Sequence, residues 1–81
     1  MKSPQEFLVT NLSSITGLSE NVLTQATNLF SVGLDSFGFM QVIGDAELYY
    51  GIQFTPEELL SDKFRSIQGI TETINNKSQQ K

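Results

Sequence analysis

The stretch VGLDSFGFM, residues 32–40, places Ser36 directly after Asp35 at the predicted start of a helix. A serine hydroxyl becomes a nucleophile only when a nearby base takes its proton. The chain has no histidine and no cysteine, which removes the usual base at neutral pH and also thiol chemistry. The stretch also differs from the G-x-S-x-G turn of hydrolases, because its first glycine stands three residues before the serine. The sequence therefore predicts neither a catalytic residue nor a metal site.

A second hypothesis is that another enzyme modifies Ser36 and supplies the missing base. A serine in the first turn of a helix is exposed, and an anion attached there meets free backbone N–H groups and the positive end of the helix dipole. A phosphate ester is thus tolerated at this position. The alternative is that Ser36 only begins a helix, as many exposed serines do.

Length and charge restrict the remaining possibilities. The chain has 81 residues, enough for one small core, and a net charge of -4 with only five Lys and Arg. This balance disfavours nucleic acid and favours basic protein surfaces as partners. No signal peptide and no apolar run of membrane-spanning length is present, so we expect a cytoplasmic protein without a membrane span. Our default expectation for the oligomeric state is a monomer.

The first half of the chain predicts one helix followed by a long connection. Ser3 as N-cap, Pro4 at the first helical position and Glu6 form a capping-box pattern, and Gly17 ends the predicted helix. Residues 18–34 lack a regular period. They predict a long ordered loop with at most a short helical turn near residues 19–23.

The central predicted helix has two apolar faces. Asp35 is suited to cap a helix over residues 36–50, and Gly51 is suited to end it. At 100° per residue, one face carries Phe39, Val42, Ile43, Ala46 and Tyr50, and a second carries Phe37, Met40, Gly44 and Leu48. The first face predicts core packing, and the second predicts either packing by neighbouring segments or a partner.

Two further helices complete the predicted fold. Thr55, Pro56 and Glu58 repeat the capping pattern before a short helix, and Ile67, Ile70 and Ile74 lie at helical spacing after Ser66 on a last helix weakened by Gly69. We predict an all-α, small four-helix bundle: three main helices, a short third helix, and the long loop between helices 1 and 2. The domain spans residues 1–76, and residues 77–81 are expected to form a disordered polar tail.

These residues carry a family resemblance. Gly33-Leu34-Asp35-Ser36 resembles the G-x-D-S signature of acyl and peptidyl (aminoacyl) carrier proteins, whose serine receives 4'-phosphopantetheine from coenzyme A through a separate transferase. The order of the predicted elements is similar to the carrier fold of that family, and YYGIQFTPEELL lies where the family has an aromatic and Gly-Ile step before its short third helix. The resemblance covers almost the whole chain, from about Pro4 to Ile74.

The resemblance implies that Ser36 holds a phosphopantetheine arm whose terminal thiol carries an acyl or aminoacyl group as a thioester. The implied partners are a phosphopantetheinyl transferase, an acyl- or aminoacyl-loading ligase, and downstream synthases or transferases. The residues expected to contact partners are Leu34, Asp35, Phe37, Met40, Gly44, Asp45, Glu47 and Leu48. A cargo crevice, if it is not packed shut as we expect for so small a domain, would involve Phe7, Ile43, Ile52, Phe54, Leu59, Ile67 and Ile70.

The chain also departs from the family pattern. The bulky Phe37 and the poor helix former Gly38 follow the serine, so we expect an unusual choice of partner. Only Asp45 and Glu47 are acidic between Ser36 and Tyr50, whereas carriers of fatty-acid synthesis tend to line this helix with acids. This favours a specialised acyl, lipid or secondary-metabolite carrier. The alternatives are an aminoacyl or peptidyl carrier of a nonribosomal-peptide or D-alanylation system, and a helical adaptor with a bare or phosphorylated Ser36.

Overall fold

The computed structural model describes residues 2–79 and shows a bundle of helices with no strand in that range. Each predicted main helix is present, which confirms the all-α fold class. The α-helices are α1 Pro4–Thr16, α2 Glu20–Gln25, α3 Ser36–Tyr50, α4 Pro56–Leu60 and α5 Ile67–Gln79, with 3-10 turns at Leu29–Val32 and Asp62–Arg65.

The helix ends follow the capping signals in the sequence. Ser3 Oγ accepts a hydrogen bond from Glu6 N–H, and Asp35 is the N-cap of α3. Thr55 and Glu58 form the complete capping box of α4. Gly51 ends α3 with a φ of 65°, a left-handed conformation that glycine adopts without steric cost. The predicted bounds of α3 are therefore confirmed.

The connection between α1 and α3 contains more structure than the sequence predicted. The short turn expected near residues 19–23 is a helix extending to Gln25, and the 3-10 turn Leu29–Val32 follows it. Leu23 and Leu29 are fully buried, and Gln68 Nε2 donates a hydrogen bond to Thr24 O at 2.7 Å, joining α2 to α5. These contacts make the connection part of the bundle.

The core lies between α1, α3 and α5 and takes side chains from every α-helix except α4, from both 3-10 turns and from the connecting segments. Its buried members are Phe7, Leu8, Leu12, Leu23, Leu29, Leu34, Phe39, Val42, Ile43, Ala46, Phe54, Phe64, Ile67, Ile70 and Ile74. The set includes the predicted inner face of α5 and that of α3 except Tyr50, which packs partly buried against the core. Burying one such side chain is worth about 1.5–3 kcal/mol, so the short elements are held mainly by this shared core.

The end of α5 corrects a predicted boundary. The helix continues through Gln79, so residues 77–79 do not form the expected disordered tail, while residues 80 and 81 lie outside the described residues. One physical reason is an ion pair: Lys77 Nζ lies 3.0 Å from Glu58 Oε1, and both groups are partly buried. The pair fastens the last turn of α5 to α4.

Gly69 allows α5 to approach the second 3-10 turn closely. A Cβ at residue 69 would overlap the backbone carbonyl of Lys63, so the glycine that weakens the helix locally is what permits this contact. The turn beside it carries Phe64, which is fully buried. The position of the turn therefore depends on the absence of a side chain at Gly69.

We expect Gly69→Ala to lower the free energy of unfolding by about 1–3 kcal/mol, because the backbone of the turn must move to admit the methyl group. Gly44→Ala is the matched control, since a Cβ there meets nothing within 4 Å and alanine favours a helix by about 1 kcal/mol. Urea unfolding of the two variants measures both effects. Equal stability of the two variants would contradict the argument.

The ionisation of Glu58 is coupled to the packing of α4 on α5. Partial burial raises its pKa, but hydrogen bonds from Thr55 N–H and Lys77 together with the charge of Lys77 outweigh that effect, so the pKa lies below its usual value. A lowered pKa in the folded state stabilises the fold above the pKa of the unfolded state, about 4.3.

Glu58→Gln should therefore reduce the free energy of unfolding at neutral pH, and the difference from wild type should shrink as the pH falls through about 4. Glutamine preserves the capping box, so the variant isolates the charge. Glu57→Gln, an exposed position on the same turn, is the control. Urea titrations at several pH values check the prediction, and a difference independent of pH would overturn it.

Candidate functional site

Ser36 is the first residue of α3 and is exposed. The chain reaches it through the first 3-10 turn, where Gly33 has a φ of 127° and donates its N–H to Leu29 O. That φ is one that side-chain-bearing residues rarely adopt, so glycine is required for the turn. The next residue, Leu34, directs its side chain into the core. Ser36 is therefore held at the surface by the turn at Gly33, the buried Leu34 and the start of α3.

Asp35 is the N-cap of α3. Its Oδ1 accepts a hydrogen bond from Gly38 N–H at 2.8 Å. The Asp35 carboxylate therefore lies at the start of the helix, adjacent in sequence to Ser36, and is engaged by its hydrogen bond with the backbone. The positive end of the α3 dipole remains available to an anion on Ser36.

Gly38 is buried rather than presented to a partner. A Cβ at this position would lie 2.9 Å from Ile15 Cγ2 and 3.1 Å from Leu34 Cδ1. The glycine therefore makes room for α1 and for the Leu34 anchor, which explains its presence in a helix. The expectation that Phe37 and Gly38 together mark partner choice is corrected for Gly38.

The second apolar face of α3 is exposed in the structure. Phe37 is 83% exposed, Met40 54% and Leu48 85%, and Leu60 on α4 is 81% exposed. Isolated exposed apolar residues are ordinary, but Phe37 and Met40 adjoin Ser36 in one shallow apolar depression together with Gln41. Gly44 and Asp45 are partly buried further along the helix.

Two of the residues predicted to contact partners make internal contacts in the fold. Leu34 is only 4% exposed and belongs to the core. Glu47 accepts a hydrogen bond from Phe54 N–H at 2.9 Å through Oε2, which ties the end of α3 to the segment before α4. The sequence could not reveal either contact, because both depend on how segments distant from α3 fold back onto it.

A groove of about 300 Å³ runs beside Ser36 between α3, α4 and the two 3-10 turns. Its lining residues are Phe30, Ser36, Phe39, Met40, Leu59, Leu60, Ser61, Phe64 and Arg65. Of the predicted crevice residues, Leu59 lines this groove. Phe7, Ile43, Phe54, Ile67 and Ile70 are packed in the core, and Ile52 lies partly buried against it.

Most of this lining was not predicted as a site. Phe30, Leu60, Ser61, Phe64 and Arg65 come from segments whose sequence carries no periodic signal. The adjacent leucines Leu59 and Leu60 at the end of α4 are the one signal in the sequence for this wall: Leu59 is partly buried and Leu60 is exposed. The walls are mainly aromatic and aliphatic, and the polar groups come from the two serines and the arginine.

The groove and Ser36 fit a flexible arm attached through the serine hydroxyl. Ser36 lines both the groove and the shallow depression of Phe37, Met40 and Gln41, so a substituent on it has apolar surface on either side. Among the described residues no group of histidine, cysteine or acidic side chains is arranged to hold a metal ion. No helix in residues 2–79 has the length and apolar character needed to cross a bilayer.

Comparisons with known proteins identify the family of the chain. The family described as "Phosphopantetheine attachment site" matches residues 6–74. An "Acyl carrier protein homolog" of Mycoplasmopsis pulmonis (strain UAB CTIP) is 30% identical over 59 residues, which is 73% of this chain and 77% of the relative. No solved structure gave a significant match.

The cap at Asp35 provides a direct test of how the site is held. Asp35→Ala should lower the free energy of unfolding by about 1 kcal/mol, because Gly38 N–H loses its partner. Asp35→Asn should stay close to wild type, because asparagine caps helices about as well. Thermal and urea unfolding measure the difference. An equal loss in both variants would show that the charge, and not the cap, stabilises the helix start.

Proposed function

The chain belongs to the family of phosphopantetheine-attachment domains, and we propose that it is an acyl carrier whose 4'-phosphopantetheine arm is attached through Ser36. Domains of this family are the sites at which that group is covalently attached. The observation that carries the assignment to Ser36 is its position: an exposed hydroxyl at the first residue of α3, beside both the groove and the apolar depression.

The attachment requires a separate enzyme. In that reaction the Ser36 Oγ–phosphorus bond forms while a P–O bond of the coenzyme A pyrophosphate breaks, adenosine 3',5'-bisphosphate leaves with the electron pair, and the transferase takes the hydroxyl proton. The chain offers no histidine for this task, and the neighbouring Asp35 carboxylate is occupied by Gly38 N–H. Its own role is to present the hydroxyl in a fixed helix start and to offer the helix dipole to the phosphate.

The arm supplies a terminal thiol that carries an acyl group as a thioester, a chemistry that this cysteine-free chain does not supply itself. Attachment to a mobile arm replaces free diffusion with a high local concentration of cargo at each partner's active site. An acyl cargo is favoured over an aminoacyl one by the similarity to a relative described as an acyl carrier protein homolog.

We assign partner contact to Phe37, Met40 and Leu48, and to Leu60, which lines the groove together with Met40. These side chains are exposed and apolar, whereas the acids of α3 are partly buried and Glu47 bonds to Phe54 N–H. Docking on such a surface relies on buried apolar area more than on charge steering. This supports a specialised acyl or lipid pathway, with the transferase, a loading ligase and acyl-accepting enzymes as partners.

The attachment assignment predicts the outcome of one loading reaction. Incubation with coenzyme A and a broad-specificity phosphopantetheinyl transferase should raise the intact mass by a single phosphopantetheinyl group. Ser36→Ala should remain unmodified while retaining its helical circular dichroism, since residue 36 is exposed. Ser31→Ala, an exposed serine in the preceding turn, is the matched control and should load like wild type.

Two results would overturn the assignment. An unchanged mass of the wild-type protein would favour the adaptor alternative, in which Ser36 stays bare or is phosphorylated by a kinase. Loading of Ser36→Ala would place the arm on another serine. Fragmentation of the loaded protein identifies the modified residue in either case.

A further inference from the structure

Basic residues are rare in this chain, and they are absent from the stretch around the modified serine. The sequence has no Lys or Arg between Lys2 and Lys63, so α3 carries none. A phosphodiester on Ser36 would therefore add a negative charge next to Asp35, with no cation on its own helix. A compensating cation has to come from another segment of the fold.

The second 3-10 turn provides that cation. Arg65 lines the groove that also contains Ser36, and it is the one basic residue in that lining. Two other basic residues within the described part of the chain have acidic partners elsewhere: Lys63 Nζ lies 2.6 Å from Glu72 Oε1, and Lys77 Nζ 3.0 Å from Glu58 Oε1. Both of those lysines line a different depression, between α4 and α5.

The present partner of Arg65 holds it weakly. Arg65 Nε lies 3.5 Å from Asp62 Oδ1, and both side chains are at least half exposed. An exposed ion pair at that distance contributes little, because water screens it and two flexible side chains must be ordered. A guanidinium is also well suited to phosphate, since its planar fork makes two parallel hydrogen bonds to two oxygens.

We propose that Arg65 binds the phosphodiester on Ser36 in the loaded protein and exchanges its contact with Asp62 for the phosphate. This inference rests on the proposed attachment at Ser36. The phosphorus would be bonded directly to Oγ, and Ser36 and Arg65 line the same groove, so the charge lies on the groove that Arg65 lines. The contact holds the first atoms of the arm toward α4 and leaves the exposed Phe37 face of α3 free for a partner.

The contact also gives Arg65 a function in releasing the arm. A partner enzyme must bring the thiol of the arm into its own active site. It must therefore either break the contact between Arg65 and the phosphate or bind the arm in the direction in which it extends toward α4. Because the pair is at the surface, it limits the directions of the arm without immobilising it. Arg65 is thus a positioning residue for the arm.

The experiment compares the loaded forms of wild type, Arg65→Gln, Arg65→Lys and the control Lys63→Gln. Lys63→Gln removes the same charge two residues away, from a side chain that does not line the groove. Intact mass first establishes that Ser36 is loaded in each protein. The ³¹P resonance of the phosphodiester is then followed from about 0.01 M to about 1 M salt, over which the screening length falls from about 30 Å to about 3 Å.

We expect the ³¹P shift of wild type and Lys63→Gln to move with salt. In Arg65→Gln the shift should already lie near the high-salt value and should lose most of its salt dependence, while Arg65→Lys should keep part of it. The rise in melting temperature on loading should likewise be smaller in Arg65→Gln than in Lys63→Gln. Both readouts are independent of any activity of the loaded carrier.

Three results decide against the inference in distinguishable ways. If Arg65→Gln is loaded and behaves like wild type, the contact is absent while the carrier assignment stands. If Lys63→Gln and Arg65→Gln lose the salt dependence equally, the effect is one of net charge and not of Arg65. If the wild-type protein is not loaded at all, the proposed function itself fails.

Discussion

The burial of Leu34 is the contact on which the functional site depends. Leu34 N–H donates to Leu29 O at 3.1 Å, and its side chain lies under the first turn of α3, where a Cβ on Gly38 would touch it. Burying a leucine is worth about 1.5–3 kcal/mol, more than the cap at Asp35 alone. The buried Leu34 side chain and the extended backbone of Asp35 fix the direction of the chain at the start of α3. Ser36 is therefore placed at the surface.

The same contact shows how far sequence reasoning reaches. The bounds of α3 could be predicted because capping residues and a 3.6-residue period act locally, within a few residues of each end. The family resemblance assigns Leu34 to partner contact, and no periodic pattern in the linear sequence marks it as a core residue. Its burial is decided by α1 and the preceding turn. The role of Gly38 is hidden in the sequence for the same reason, since the crowding by Ile15 exists only after folding.

The connection before α3 illustrates a second limit. A six-residue helix and a four-residue 3-10 turn are too short for a hydrophobic period to be recognised, yet each places one leucine in the core. A structureless loop of that length would leave many backbone groups unpaired, which is uncommon in a compact domain. The physical answer is that the connection forms short helical segments wherever a buried side chain can hold them.

The division of α3 into two faces follows from the size of the domain. One face, including Phe39, Val42 and Ile43, packs into the core, and no element within residues 2–79 is left over to cover the other. Exposed apolar side chains such as Phe37 and Leu48 lower the solubility of a protein. Their presence on the surface therefore indicates contact with a partner. With the acids of α3 turned partly inward, attraction at long range is weak and specificity depends on shape.

The groove beside Ser36 exists only because segments distant in the chain converge on it. Phe30 comes from the first 3-10 turn, Leu59 from α4, and Phe64 and Arg65 from the second turn. That second turn sits where Gly69 lets α5 approach the Lys63 carbonyl, so the packing of the last helix sets the position of Phe64 in the core and of Arg65 at the groove together. Core packing and the geometry of the groove are therefore coupled. If the second 3-10 turn moved to admit a side chain at residue 69, Phe64 and Arg65 in the groove lining would move with it.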